Sequence, residues 1–148
     1  MPVDVLSQIV IQRARAEVAA YAADPARAPE WFANIDEIEW QTEPPLQVGS
    51  RVAFVSHATR QRLSYLFEVS EYVPDERLVM RTQEGSFPME TTYTWEEHGT
   101  GATRMTLRNR GEPSGFLKLV APLLAPAMRR SIRKDLEQLK RRLEHRAQ

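Results

Sequence analysis

Few side chains in this 148-residue chain have the type and spacing for chemistry, and most of those few sit on segments that read as strands. His57, His98 and His145 fall in a strand, a hairpin turn and a helix end, with no spacing that suggests shared metal ligation. Regular alternation turns His57 away from the side of its strand that carries Phe54, toward solvent, so an acid–base role would need an irregular strand. Glu68 and Glu71 flank Val69 with opposite parity, so one of them can face inward. A buried carboxylate has a raised pKa and can serve as a general base, whereas a surface carboxylate would pair with an arginine such as Arg77 or Arg81. Tyr93 is the first choice for a hydrogen bond to a bound molecule, because its strand has the clearest alternation. No catalytic set emerges, and the candidates that remain are Tyr93, His57 and Glu68. The chain has no cysteine, hence neither disulfides nor thiolate chemistry. It also lacks a glycine-rich phosphate loop after a strand, a Gly-x-Ser-x-Gly elbow and a His-Glu-x-x-His helix. Nucleotide-dependent, serine-hydrolase and zinc-hydrolase classes are unsupported, and neither cofactor nor metal is expected.

The elements that must position these groups follow from periodicity. Residues 5–14 read as a first strand with Ile9 and Ile11 on one face. The alanine-rich residues 15–23 predict a helix ended by Asp24-Pro25, and a second short helix follows over 26–32. Six strands are then predicted over 36–43, 51–58, 63–73, 77–83, 88–97 and 102–110, separated by turn residues such as Pro44-Pro45, Pro74-Asp75 and Gly99-Thr100-Gly101. The last two alternate most cleanly, which predicts one dry face and one wet face. Beyond Gly111, apolar residues recur at Phe116, Leu119, Val120, Leu123, Leu124, Met128, Ile132, Leu136, Leu139 and Leu143. Spacings of three and four make one stripe on a long helix. Pro122 and Pro126 fall inside it, predicting a short helix over 114–121, a kink, and a longer helix to about residue 146. A greasy helix needs a partner surface, and here that can only be the sheet.

This order resembles the START-like, helix-grip superfamily (SRPBCC) that includes pollen-allergen-type proteins, polyketide cyclases and lipid-transfer domains. The resemblance is carried by AEVAAYAADP at 16–25 followed by Trp31, by FEVSEYVPDERLVMR at 67–81, and by the terminal amphipathic helix. It implies an α+β fold in which a curved seven-stranded antiparallel sheet wraps a long C-terminal helix, with residues 1–148 forming one ligand-binding domain. It also implies a space between sheet and helix for a small hydrophobic or amphipathic molecule. One fold hosts many activities, so carrier, sensor and polyketide or aromatic cyclase all remain open.

Strand parity selects the side chains that would face such a space: Phe54, Tyr65, Phe67, Val69, Met80, Met89, Thr91, Tyr93, Trp95, Met105 and Leu107. The helix would add Phe116, Leu119, Val120, Leu123, Met128 and Ile132. Ser56, Thr103 and Asn109 are further polar groups on that face, able to orient a ligand or to bond to backbone. Trp31, Phe32 and Phe87 are placed at the mouth. The competing expectation is a solid core with no space left.

Composition bounds the rest. Apolar content of 42% and charged content of 27% are ordinary for a globular domain, and 20 basic residues balance 20 acidic ones. The balance is uneven, with eight Lys/Arg against three Asp/Glu over residues 129–148. This reads as a solvated helix face or, alternatively, as a basic patch recruited to a membrane or an acidic partner, or as an interaction surface built on Arg129, Arg130 and Arg133, for instance in a homodimer. No aromatic side chain interleaves with those arginines, so a nucleic-acid partner is not expected. No run of about 18 apolar residues spans a membrane, and no signal-peptide pattern opens the chain. The expected location is the cytoplasm.

Overall fold

A computed structural model describes residues 3–82, 88–111 and 116–146, with side chains omitted at 58, 59 and 116–121. The order is β1 (Val3–Ile11), α1 (Arg15–Ala23), a 3-10 turn (Pro25–Arg27), α2 (Ala28–Trp31), β2 (Glu37–Trp40), β3 (Arg51–Thr59), β4 (Gln61–Val73), β5 (Arg77–Thr82), β6 (Met89–Glu97), β7 (Thr103–Gly111) and α3 (Phe116–Glu144). The seven strands form one antiparallel sheet in the order β1-β7-β6-β5-β4-β3-β2, open between β1 and β2. With α3 against one face, this is the helix-grip α+β fold. Asp24 ends α1 and starts the next turn, its Oδ1 accepting from the Ala26 N–H at 3.0 Å.

Register fixes the inner face. Val5 lies opposite Asn109, Leu107 opposite Tyr93, Tyr93 opposite Leu78, Met80 opposite Val69, Val52 opposite Phe67, and Phe54 opposite both Tyr65 and Ile38. The outer face carries cross-strand ion pairs, among them Arg108–Asp4 at 2.6 Å and Arg81–Glu90 at 2.7 Å. It is drier than alternation predicts. Thr92 and Thr106 are buried there, short side chains beside the longer Arg108 and Gln8 in register.

A bulge at Ser70 shifts the β4–β5 register between Val69 and Glu71. The extra residue restores parity, so both glutamates lie on the outer face, and neither is an inward-facing base. Glu68 pairs with Arg51 at 3.1 Å and Glu71 with Arg77 at 3.1 Å.

The predicted break at the prolines is absent, since α3 runs continuously through Pro122 and Pro126. The two are four residues apart and both exposed, so carbonyls they deprive of an amide partner can bond to water instead. Among the described side chains of α3, the buried apolar ones are Ile132, Leu136, Leu139 and Leu143, where α3 lies across β1. Arg129, Arg130 and Arg133 are exposed.

Arg13 fastens the end of this helix. Its guanidinium donates to the carbonyls of Leu143 (2.8 Å), Glu144 (3.1 Å) and Arg146 (2.9 Å) at the helix C-terminus, where carbonyls run short of amide partners; Leu143 also accepts from the Arg146 N–H at 3.3 Å. Replacing Arg13 by Met keeps the stem and removes the donors. A loss of about 2 kcal/mol in urea unfolding is expected, and an unchanged midpoint would show that water replaces the guanidinium without cost.

Candidate functional site

The inner face divides into two halves. Where α1 and the last turns of α3 cover it, side chains fill the space: Trp95, Met105, Val69 and Leu78 are buried in one continuous core with Leu136 and Leu139. Toward the other end of β6 and β7 the described side chains leave a cavity of about 460 Å³. Its wall consists of Phe32, Asn34, Ile35, Phe54, Ser56, Leu63, Tyr65, Phe67, Met80, Met89, Thr91, Tyr93, Leu107, Asn109 and Asp135. That volume lies within the range of small-molecule sites.

Eight residues selected by parity therefore stand on this wall: Phe54, Tyr65, Phe67, Met80, Met89, Thr91, Tyr93 and Leu107. Val69, Trp95 and Met105 share their face but belong to the filled half, because α1 and α3 cover that end. Leu123 is 74% exposed, a correction to its placement as a wall residue, since the described part of α3 before Ile132 buries little against the sheet. Met128 is partly buried against the core but does not reach the cavity, for the same reason. Phe116, Leu119, Val120 and Phe87 lie outside the residues whose side chains are described.

An aromatic row separates the halves. Trp31 meets Tyr93 edge to face at 6.2 Å, and Tyr93 meets Trp95 in the same way at 6.0 Å. Trp31 is thus a partition rather than part of the mouth: it is 2% exposed and does not line the cavity. Phe32, stacked on it at 3.8 Å, does.

The polar groups are few. Thr91 Oγ1 donates to Asn109 Oδ1 at 2.7 Å, leaving the Asn109 amide hydrogens for another acceptor. Ser56 lies on the wall near β3's irregular end, whereas Thr103 is fully buried, its hydroxyl donating to the Arg13 carbonyl at 2.7 Å. His57 is exposed on the outer face, 3.5 Å from Glu37, and takes no part. Among the described residues, no three His, Cys, Asp or Glu side chains come together as metal ligands.

Asp135 is the group that strand-based reasoning misses. It reaches the cavity from α3 at 7% exposure, its Oδ1 accepting from the Ala33 N–H at 3.1 Å. Burial pushes its pKa up to about 6, against the smaller opposing effect of that hydrogen bond. Tyr93 is raised too, by burial first and then by the Asp135 charge. A signal for Asp135 exists in the sequence. It stands three residues after Ile132 and four before Leu139, a position the apolar stripe should own.

The shift has a sign that can be measured. The unfolded carboxyl ionises near 3.8, but the folded one holds its proton until about 6. The folded state therefore binds more protons between those values, and stability falls as pH rises from about 4 to 6. Asp135→Asn is expected to be more stable than the parent at neutral pH by about 1–2 kcal/mol, allowing for solvent screening in an open cavity. Below pH 4 the two should converge. A pH-independent difference in urea unfolding would exclude ionisation as the cause.

A family model described as polyketide cyclase/dehydrase and lipid transport matches residues 2–144. The chain belongs to this family. No curated protein sequence matches it. Several solved structures share the family's helix-grip fold with it. The Zhui aromatase/cyclase from Streptomyces sp. R1128 superposes with a TM-score of 0.81 at 14% identity, covering 100% of this chain and 97% of that one. TTHA0849 from Thermus thermophilus gives 0.77 at 21% identity over 94% and 95% of the two chains. A START superfamily protein from Mycobacterium smegmatis gives 0.70 at 14% identity over 95% and 94%. At these identities the likeness is one of fold. Among the described residues no helix is long and apolar enough to cross a membrane.

Proposed function

We propose that residues 1–148 act as one domain that binds, and in the cell carries or senses, a small hydrophobic or amphipathic molecule in the cavity between sheet and helix. The observation that carries this reading is the wall itself. Rings and methionines surround a cavity of about 460 Å³, and polar groups among them, Thr91 with Asn109 and Asp135 included, are set where they can fix an orientation. The family description, which pairs cyclase with lipid transport, is consistent with such a cavity. The cytoplasm is the proposed location.

Native mass spectrometry of the protein purified from its own host tests this, together with thermal shifts against sterols, quinones, fatty acids and aromatic polyketides. A co-purifying molecule, or a shift that saturates with concentration, is expected. A bare mass and no shift with any probe would sink the reading.

A second reading, ring closure on a bound polyketide-like chain, is favoured by one observation. Asp135, with a pKa of about 6, stands on the same wall as Tyr93 and could move a proton near neutral pH, while the cavity holds the reacting ends together. Loss of turnover in Asp135→Asn with substrate binding retained would separate catalysis from carriage. Tyr93→Phe with undiminished turnover would remove the tyrosine from that scheme.

A further inference from the structure

We infer that the molecule suited to this cavity carries a protonated amine on an aromatic or apolar body, with the Asp135 carboxylate receiving the ammonium group. The inference rests on the cavity being the binding site proposed above. Among the described wall residues there is no lysine, arginine or histidine, and Asp135 is the one acid. The residue is 7% exposed, and its carboxylate accepts a hydrogen bond from the Ala33 amide at 3.1 Å. Two carboxylate oxygens offer about four acceptor positions, so capacity remains for a donor arriving from the cavity.

Three head groups can be compared on these facts. A carboxylate head would bring a second negative charge to a weakly solvated acid with no cation on the described wall, which is repulsive. A hydroxyl could donate one hydrogen bond but would leave the buried charge uncompensated. An ammonium both donates and neutralises, the case in which a buried charge is repaid by its partner. The remaining wall is compatible with this, since it includes the aromatic side chains Phe32, Phe54, Phe67 and Tyr93, and aromatic rings attract a cation that reaches their faces.

Isothermal titration calorimetry at neutral pH can decide this with four probes that share a ring system: naphthylethylamine, naphthylethanol, naphthylacetate and ethylnaphthalene. The amine is expected to bind on the order of tenfold more tightly than the alcohol, with the acetate weakest. Asp135→Asn should erase the amine's advantage and restore acetate binding toward that of the alcohol. Its thermal unfolding serves as the check that the variant is folded. If ethylnaphthalene and the alcohol bind but the amine has no advantage, the inference fails and the binding cavity stands. An amine preference that survives in Asp135→Asn overturns it equally. If none of the four binds, the inference fails, and the cavity function is decided by the sterol, quinone, fatty-acid and polyketide shifts above.

Discussion

Trp31→Ala is expected to lose about 3–5 kcal/mol of stability. The indole is 2% exposed, stacks on Phe32 and abuts Tyr93, so truncation removes a large buried surface and leaves a void beside an existing cavity. Its Nε1 has no hydrogen-bond partner among the described residues. A buried N–H without an acceptor opposes folding, which makes Trp31→Phe informative. Phenylalanine keeps an aromatic surface and removes the orphan donor, so the net cost should stay below about 1.5 kcal/mol. Urea unfolding of both variants separates the terms. A Phe variant as unstable as the Ala variant would mean that the indole N–H is satisfied after all. Because Phe32 and Tyr93 line the cavity, the Ala variant should also enlarge it and accept bulkier apolar probes.

The second large effect contrasts two leucines of one helix. Leu139→Ala should cost about 3 kcal/mol, because Leu139 is fully buried in the core cluster. Leu123→Ala, at a residue 74% exposed, should change stability by less than about 0.5 kcal/mol. Both belong to the same stripe of three- and four-residue spacings in the sequence. Equal losses would show that Leu123 is covered in solution.

That contrast marks where sequence reading stops. Period-2 alternation is enough to sort side chains between two faces of a strand, so Phe54, Tyr65, Met80 and Tyr93 can be assigned to one side from parity alone. Likewise the alanine-rich run at 15–23 coincides with α1, because local helix propensity and the Asp24-Pro25 stop agree. How far along a face the covering elements extend is a tertiary fact. Trp95 follows Tyr93 by two residues on the same face, yet one is filled core and the other cavity wall, and no local pattern distinguishes them. The Ser70 bulge is similarly invisible to parity, and it decides that Glu68 and Glu71 share the outer face. Asp135 is within reach of helical periodicity, but its meaning depends on the aromatic wall that faces it.

The fastening of α3 to β1 also sets a schedule. Gln12, Arg13 and Val10 bond to groups 130 to 133 positions later in the chain, and β7, which pairs with β1, begins about 90 residues after Ile11. A ribosome adding roughly 5–20 residues per second makes β1 wait about 5–20 seconds for its neighbouring strand, and longer for the helix that covers it. Throughout that interval an apolar strand, VDVLSQIVI, has no native partner on either edge. Such long-range closure also makes folding slower than in a helical bundle of similar size. Until β7 is made, β1 is therefore a strand whose apolar side chains lack both their native neighbour in the sheet and their helical cover.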